Sequence, residues 1–291
     1  MLLMVGLALT ACSSDDNGTE PQAPKTYYMT VDASKAVNEA FSRMSRRALS
    51  LTGSTLNASW ETTEKVYVQG QLTGGSYFWF ENYIQPRSVG KTTRLNGTIT
   101  LPNREPYTSY EEERRHTLIL QFPRICTGYN DVALSAGVLD YDGQKGTLAD
   151  IAANYDYALD TINVDVIDNR IVPYEEKTAV FANQQAIVKF TLKNADGTIL
   201  LNPSALNVRV VGTEPSDPTV EVTVGEVTLS SIPEATYTTN GNGVLFVAIP
   251  GFSSKKVILT ATVGGSTYTF TRSGVTFANG KYYEINVKMK Q

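Results

Sequence analysis

The chain has 291 residues, a net charge of −4 and only two cysteines. That balance leaves no basic surplus for phosphates, which excludes nucleic acid as a partner, and beyond the N-terminus no apolar run approaches the ~18 residues a membrane helix needs. The length favours two domains over one core, and 16 Tyr, 22 Gly and 12 Pro beside abundant Thr and Val favour strands and turns.

Residues 1–9 are an apolar run too short to span a bilayer but suited to the core of a secretory signal. Leu9-Thr10-Ala11-Cys12 closes it and resembles the bacterial lipobox. The resemblance implies a signal peptide over residues 1–11 and a diacylglyceryl-modified Cys12 as first residue of the mature chain. An ordinary signal peptide with an unmodified Cys12 is the alternative. With Cys12 acylated, Cys126 has no intrachain partner, so stability must come from packed sheets. Residues 12–25 are polar, acidic and proline-bearing, and read as a flexible tether.

Residues 26–31 alternate β-formers and predict a strand. The spacing predicts a helix over 34–44, with Ser34 as its cap and Ala36, Val37, Ala40, Phe41 and Met44 on one face, ending near Arg46-Arg47. Strands follow over 48–51, 55–60, 65–68, 77–80, 94–101 and 117–122, then a second short helix within 146–157 and a strand over 160–167. The domain division is placed at 170/171, giving domains of 26–170 and 171–291. Strands over 186–192, 207–211, 220–229, 244–249, 256–263, 267–272 and 282–289 make the second half read as a β-sandwich. Asn194-Ala195-Asp196-Gly197, Asn240-Gly241-Asn242-Gly243 and Gly264-Gly265 supply the positive φ that tight hairpins demand.

Candidate chemistry is sparse. Ser88-Val89-Gly90-Lys91-Thr92 ends like a phosphate-binding loop but lacks the leading Gly and runs into a strand where a helix is required. Asp140-Tyr141-Asp142-Gly143 begins like a calcium loop without its third carboxylate or closing Glu, and reads as an Asx turn. A nucleophile and base would have to be Cys126 and His116. His116, the only His, lies in a mixed charge run typical of a solvated face, and Cys126 reads as a small buried hydrophobe. Trp60, Phe78, Trp79, Phe80 and Tyr83 are either a sugar-stacking platform or core and edge packing. No catalytic constellation, cofactor or metal site is expected, and no enzyme.

Several segments together resemble one family. Arg47-Ala48-Leu49-Ser50-Leu51, Leu56-Asn57-Ala58-Ser59-Trp60 and Glu64-Lys65-Val66-Tyr67-Val68 match its opening. Gly146-Thr147-Leu148-Ala149-Asp150-Ile151, Ala186-Ile187-Val188-Lys189-Phe190-Thr191-Leu192 and Asn279-Gly280-Lys281-Tyr282-Tyr283-Glu284-Ile285 follow in order. The chain resembles the fimbrillin-like lipoproteins, the pilins and adhesins of Bacteroidales, over most of residues 26–291. The resemblance implies an all-β chain of two tandem transthyretin-like β-sandwich domains with short helices. It also implies a pilin, tip or anchor subunit of a fimbrium that supports adhesion, held at the cell surface in the outer membrane by its lipid.

Arg-specific proteolysis at Arg46 or Arg47 would then remove the first strand. The opened groove would be filled by β-strand addition from another fimbrial subunit. The alternative for Arg46 and Arg47 is that they solvate the C-terminal end of the preceding helix. Asp160-Thr161-Ile162 resembles an O-glycosylation acceptor of the same bacteria, at Thr161. The rival function is a monomeric glycan-binding surface lipoprotein.

Overall fold

The computed structural model describes residues 24–35, 49–52, 55–71, 77–102, 115–122 and 139–291. Cys12, Arg46, Arg47, Cys126 and positions 36–44 of the expected helix lie outside them. The chain is all-β. β1 (Thr26–Lys35) sends every second side chain inward; β2 (Leu49–Thr52) and β3 (Thr55–Ala58) form a separate hairpin. β4 (Tyr67–Gln71), β5 (Tyr77–Trp79), β6 (Gln85–Pro86), β7 (Thr92–Thr100), β8 (Arg115–Phe122), β9 (Ala158–Ile167), β10 (Arg170–Pro173) and β11 (Ala179–Asn183) build one sheet with β1. Its order is β5-β4-β8-β9-β10-β1-β7-β6, with β11 sharing the place of β10 between β9 and β1.

The two ends of that sheet are stitched together. Val66 and Ile84, just ahead of β4 and β6, exchange backbone hydrogen bonds of 2.9 Å each way. The sheet thereby wraps round a core that includes Tyr27, Met29, Trp60, Leu95, Val164 and Phe181, all 0% exposed. Ser34 and Lys35 extend β1 instead of opening a helix, because the inward alternation Tyr27, Met29, Val31, Ala33 continues to Lys35, which finds acidic partners inside.

The second core lies between two smaller sheets. β12 (Gln185–Lys193) pairs with β15 (Val244–Pro250) and with β18 (Tyr282–Lys288). β13 (Ala205–Glu214), β14 (Asp217–Leu229), β16 (Phe252–Val263) and β17 (Ser266–Phe277) form the facing sheet in the order β14-β13-β16-β17. Gly264 and Gly265 turn the β16–β17 hairpin with φ of 55° and 81°, as their sequence predicts.

Two short helices pack on β15. α1 (Leu148–Asn154) is capped by Thr147, whose hydroxyl accepts the Asp150 N–H at 3.1 Å; α2 (Glu234–Asn240) is held to the same place by Asn240 Nδ2, which donates to the Gly146 carbonyl at 2.8 Å. The buried amide of Gln144 acts like a strand residue beside β15. It donates to Ala248 O and accepts from Ala248 N, both at 2.8 Å, and donates to Tyr141 O at 2.7 Å.

Among the described residues the chain crosses between the cores at 58–60, where Ala58 joins the second core and Trp60 the first, and again at 156–158 and 183–185. Tyr141, Ile151 and Tyr157 join the second core, whereas Ala158 and then β10 and β11, beyond the expected division at 170/171, belong to the first sheet. It returns at β12, where Gln184 N–H donates to the Tyr157 carbonyl at 2.8 Å. The crossing points 156–158 and 183–185 therefore lie side by side.

Candidate functional site

The first strand occupies a slot in the middle of its sheet. On one side β1 pairs antiparallel with β7 from Thr26↔Thr100 to Ser34↔Thr92. On the other it runs parallel to β10 at Tyr28 and Met29, and to β11 from Ala33 to Lys35. Its inward residues Tyr27, Met29, Val31, Ala33 and Lys35 are at most 2% exposed, and Tyr28 on the outward face is 43% exposed. One-sided alternation of this kind fixes register, since a one-residue slip would turn Tyr28 and Asp32 into the core.

The last inward residue is charged. Lys35 Nζ donates to Glu64 Oε1 at 2.9 Å and to the Ser59 carbonyl at 3.1 Å, and lies 3.8 Å from Asp156 Oδ2. The ammonium also stands 4.8 Å from the Trp60 ring centroid and 4.4 Å from that of Phe122, positions that favour a cation. Glu64 Oε2 accepts the Glu61 N–H, and Asp156 Oδ1 accepts from Gln185 Nε2 at 3.3 Å. Asp156 Oδ2 has no hydrogen-bond partner and depends on the ammonium. Burial raises the carboxyl pKa of both Glu64 and Asp156, and the Lys35 charge opposes it. The cluster thus joins the end of β1 to the crossings at 58–60, 156–158 and 183–185, through Ser59, Asp156 and Gln185.

None of these three residues was singled out as a site by sequence. The available signal was the phase of Lys35, which continues the alternation of residues 27–33. Thr161 is exposed on β9 opposite Ile119. Trp60, Phe78 and Phe80 are at most 1% exposed and Trp79 is 7% exposed, so they pack the core and present no open stacking face. Asp140 and Asp142 form the expected Asx turn: Asp140 Oδ1 accepts Asp142 N–H at 2.9 Å, while Asp142 Oδ1 accepts Thr228 N–H at 2.7 Å. Ser88 folds back on Thr93, whose hydroxyl accepts its N–H at 3.1 Å, and β7 begins at Thr92. His116 sits on β8 opposite Val164. Among the described residues no cluster of His, Cys, Asp and Glu could hold a metal ion, and no helix is long and apolar enough to cross a membrane.

The chain is thus all-β, with β1 seated between β7 on one side and β10 and β11 on the other. No family model and no curated protein matches the sequence. Among solved structures, a fimbrial assembly protein of Parabacteroides distasonis is similar with a TM-score of 0.43 at 12% identity, over 90% of each chain. The tip fimbrial protein Mfa3 of Porphyromonas gingivalis, in a C-terminally truncated form, gives 0.40 at 11% identity over 90% of this chain and 95% of that one. A group described as polysaccharide-binding proteins from Bacteroides thetaiotaomicron gives 0.37 at 10% identity, over 83% and 78%.

Proposed function

We propose that the chain is a fimbrial subunit of the fimbrillin-like kind, exported as a lipoprotein on Cys12 and switched to assembly by cleavage at Arg46 or Arg47. The observation that carries this reading is the position of β1. Among the described residues it is the one strand N-terminal to the Arg pair, and it fills a central slot paired on both sides. Cleavage would leave β1 held only by non-covalent contacts. Burial of Tyr27, Met29 and Val31, at about 1.5–3 kcal/mol for each large side chain, keeps the slot closed until a strand of equal quality competes for it. A strand of a neighbouring subunit would regain the main-chain hydrogen bonds and the alternating pockets together.

In this reading the lipid holds the subunit at the outer surface until the cut. Thr161, exposed on β9, is the proposed glycan acceptor. The test is the double variant Arg46→Ala/Arg47→Ala on cells. It should remain acylated and full length and give no fibres by electron microscopy, whereas the parent chain is cut and polymerises. Normal fibres from the variant would overturn the switch. Selective binding of the uncut monomer on a glycan array, with no polymer under any condition, would favour the glycan-binding lipoprotein instead.

A further inference from the structure

We infer that the β1 slot selects its occupant by charge as well as by shape: Glu64 and Asp156 form a cation subsite at its inner end, and a replacing strand must place a lysine there. This rests on the strand-replacement reading proposed above. The subsite is built from parts of the chain that stay behind after a cut at Arg46 or Arg47. Glu64 lies between β3 and β4, Asp156 between α1 and β9, and Gln185 opens β12. The Trp60 and Phe122 rings form its walls. Lys35 is the only one of its charged members that belongs to the removable strand.

The geometry sets three demands on an occupant. The side chain at this point must reach a carboxylate held 8% exposed and another held 2% exposed. It must donate more than one hydrogen bond, since Glu64 Oε1 and the Ser59 carbonyl both accept from Nζ. It must also carry charge, because Asp156 Oδ2 has no other partner. An apolar side chain would bury two carboxylates with no counter-charge, and an acidic one would add a third. The slot therefore reads a strand with inward apolar residues at the positions of Tyr27, Met29 and Val31, a small one at Ala33, and lysine next in phase.

The test uses the full chain nicked between residues 36 and 48, mixed with fluorescent peptides of residues 24–35 that carry Lys35, Lys35→Met or Lys35→Glu. Retention is read by gel filtration, on the parent receiver and on Glu64→Gln/Asp156→Asn. The Lys35 peptide should enter the parent receiver and bind at least ~100-fold more tightly than the Met version, with Glu weaker still. In the double-amide receiver the preference should shrink below about tenfold. Met binding within threefold of Lys on the parent receiver would overturn charge selection and leave strand replacement standing. Failure of every peptide, Lys35 included, to enter would overturn strand replacement itself, and this inference with it. The parent receiver decides between these outcomes even where the double variant does not fold.

Discussion

Replacing Lys35 by Met in the intact chain isolates the buried charge. Met keeps most of the stem in its apolar surroundings and removes the ammonium that Glu64 meets at 2.9 Å and Asp156 at 3.8 Å. Breaking one partner out of a buried ionic cluster strands the others, which is worth about 3–5 kcal/mol. At roughly 2–4 °C of melting temperature per kcal/mol, the expected drop is about 6–20 °C at pH 7. Adding Glu64→Gln and Asp156→Asn to Lys35→Met should recover part of it, because no uncompensated charge then remains.

The pH dependence has a definite sign. Both carboxyls titrate at higher pH folded than unfolded, with burial as the main cause. Their folded form therefore gains protons as pH falls, and their unfavourable contribution grows as pH rises through the folded pKa. The deficit of Lys35→Met relative to the parent should shrink between pH 7 and pH 4. Urea unfolding across that range, followed by tryptophan fluorescence from Trp60 in the first core, reads it directly. A variant as stable as the parent at pH 7, or a deficit that widens on acidification, would refute the assignment.

Three further outcomes follow from the same geometry. Met29→Ala, at a site 0% exposed in β1, should lower the unfolding free energy by about 2–5 kcal/mol in urea, whereas Tyr28→Ala on the outward face should leave the midpoint nearly unchanged. Gly97→Ala would bring a Cβ within 2.6 Å of the Tyr83 carbonyl and 3.0 Å of Ile84 Cα, so β6 must move off β7; hydrogen exchange at Pro86's neighbours Gln85 and Arg87 should speed up. Gln144→Leu removes three hydrogen bonds beside β15 and leaves Ala248 N–H and two carbonyls unpaired, costing about 3 kcal/mol by thermal unfolding.

The sheets were legible where alternation runs long and turn chemistry brackets it. β12, β16 and β18 each carry several inward apolar residues at period two, and Gly264-Gly265 marks a hairpin with no tertiary information needed. β6, β10 and β11 escaped because two to five residues show too little alternation, and their pairing is decided by β1, β7 and β9. α2 escaped because Glu-Ala-Thr-Tyr-Thr-Thr-Asn has little helix propensity; it is fixed from outside, by Asn240 on Gly146 and by the Tyr237 hydroxyl donating to the Pro203 carbonyl. The slot was legible through Tyr27, Met29 and Val31. Its charged end was not: Ser34 before an Ala-rich run looks like a helix cap, and Glu64 and Asp156 are brought to Lys35 only by the fold.

A buried ionic cluster at the end of a strand is a poor way to gain stability and a good way to fix register. Tyr27, Met29, Val31 and Ala33 would tolerate a slip of two residues, since apolar pockets grade into one another at small cost. Such a slip would bring Ala33 or a residue beyond Lys35 to Glu64 and Asp156, and both carboxylates would lose their cation. The charge therefore defines where β1 stops, while the alternation defines which face it shows. A purely apolar slot would also accept any β-forming segment nearby, the hazard that open sheet edges carry. Two carboxylates at its inner end penalise every strand that lacks a cation in phase, so specificity comes from repulsion of wrong occupants as much as attraction of the right one.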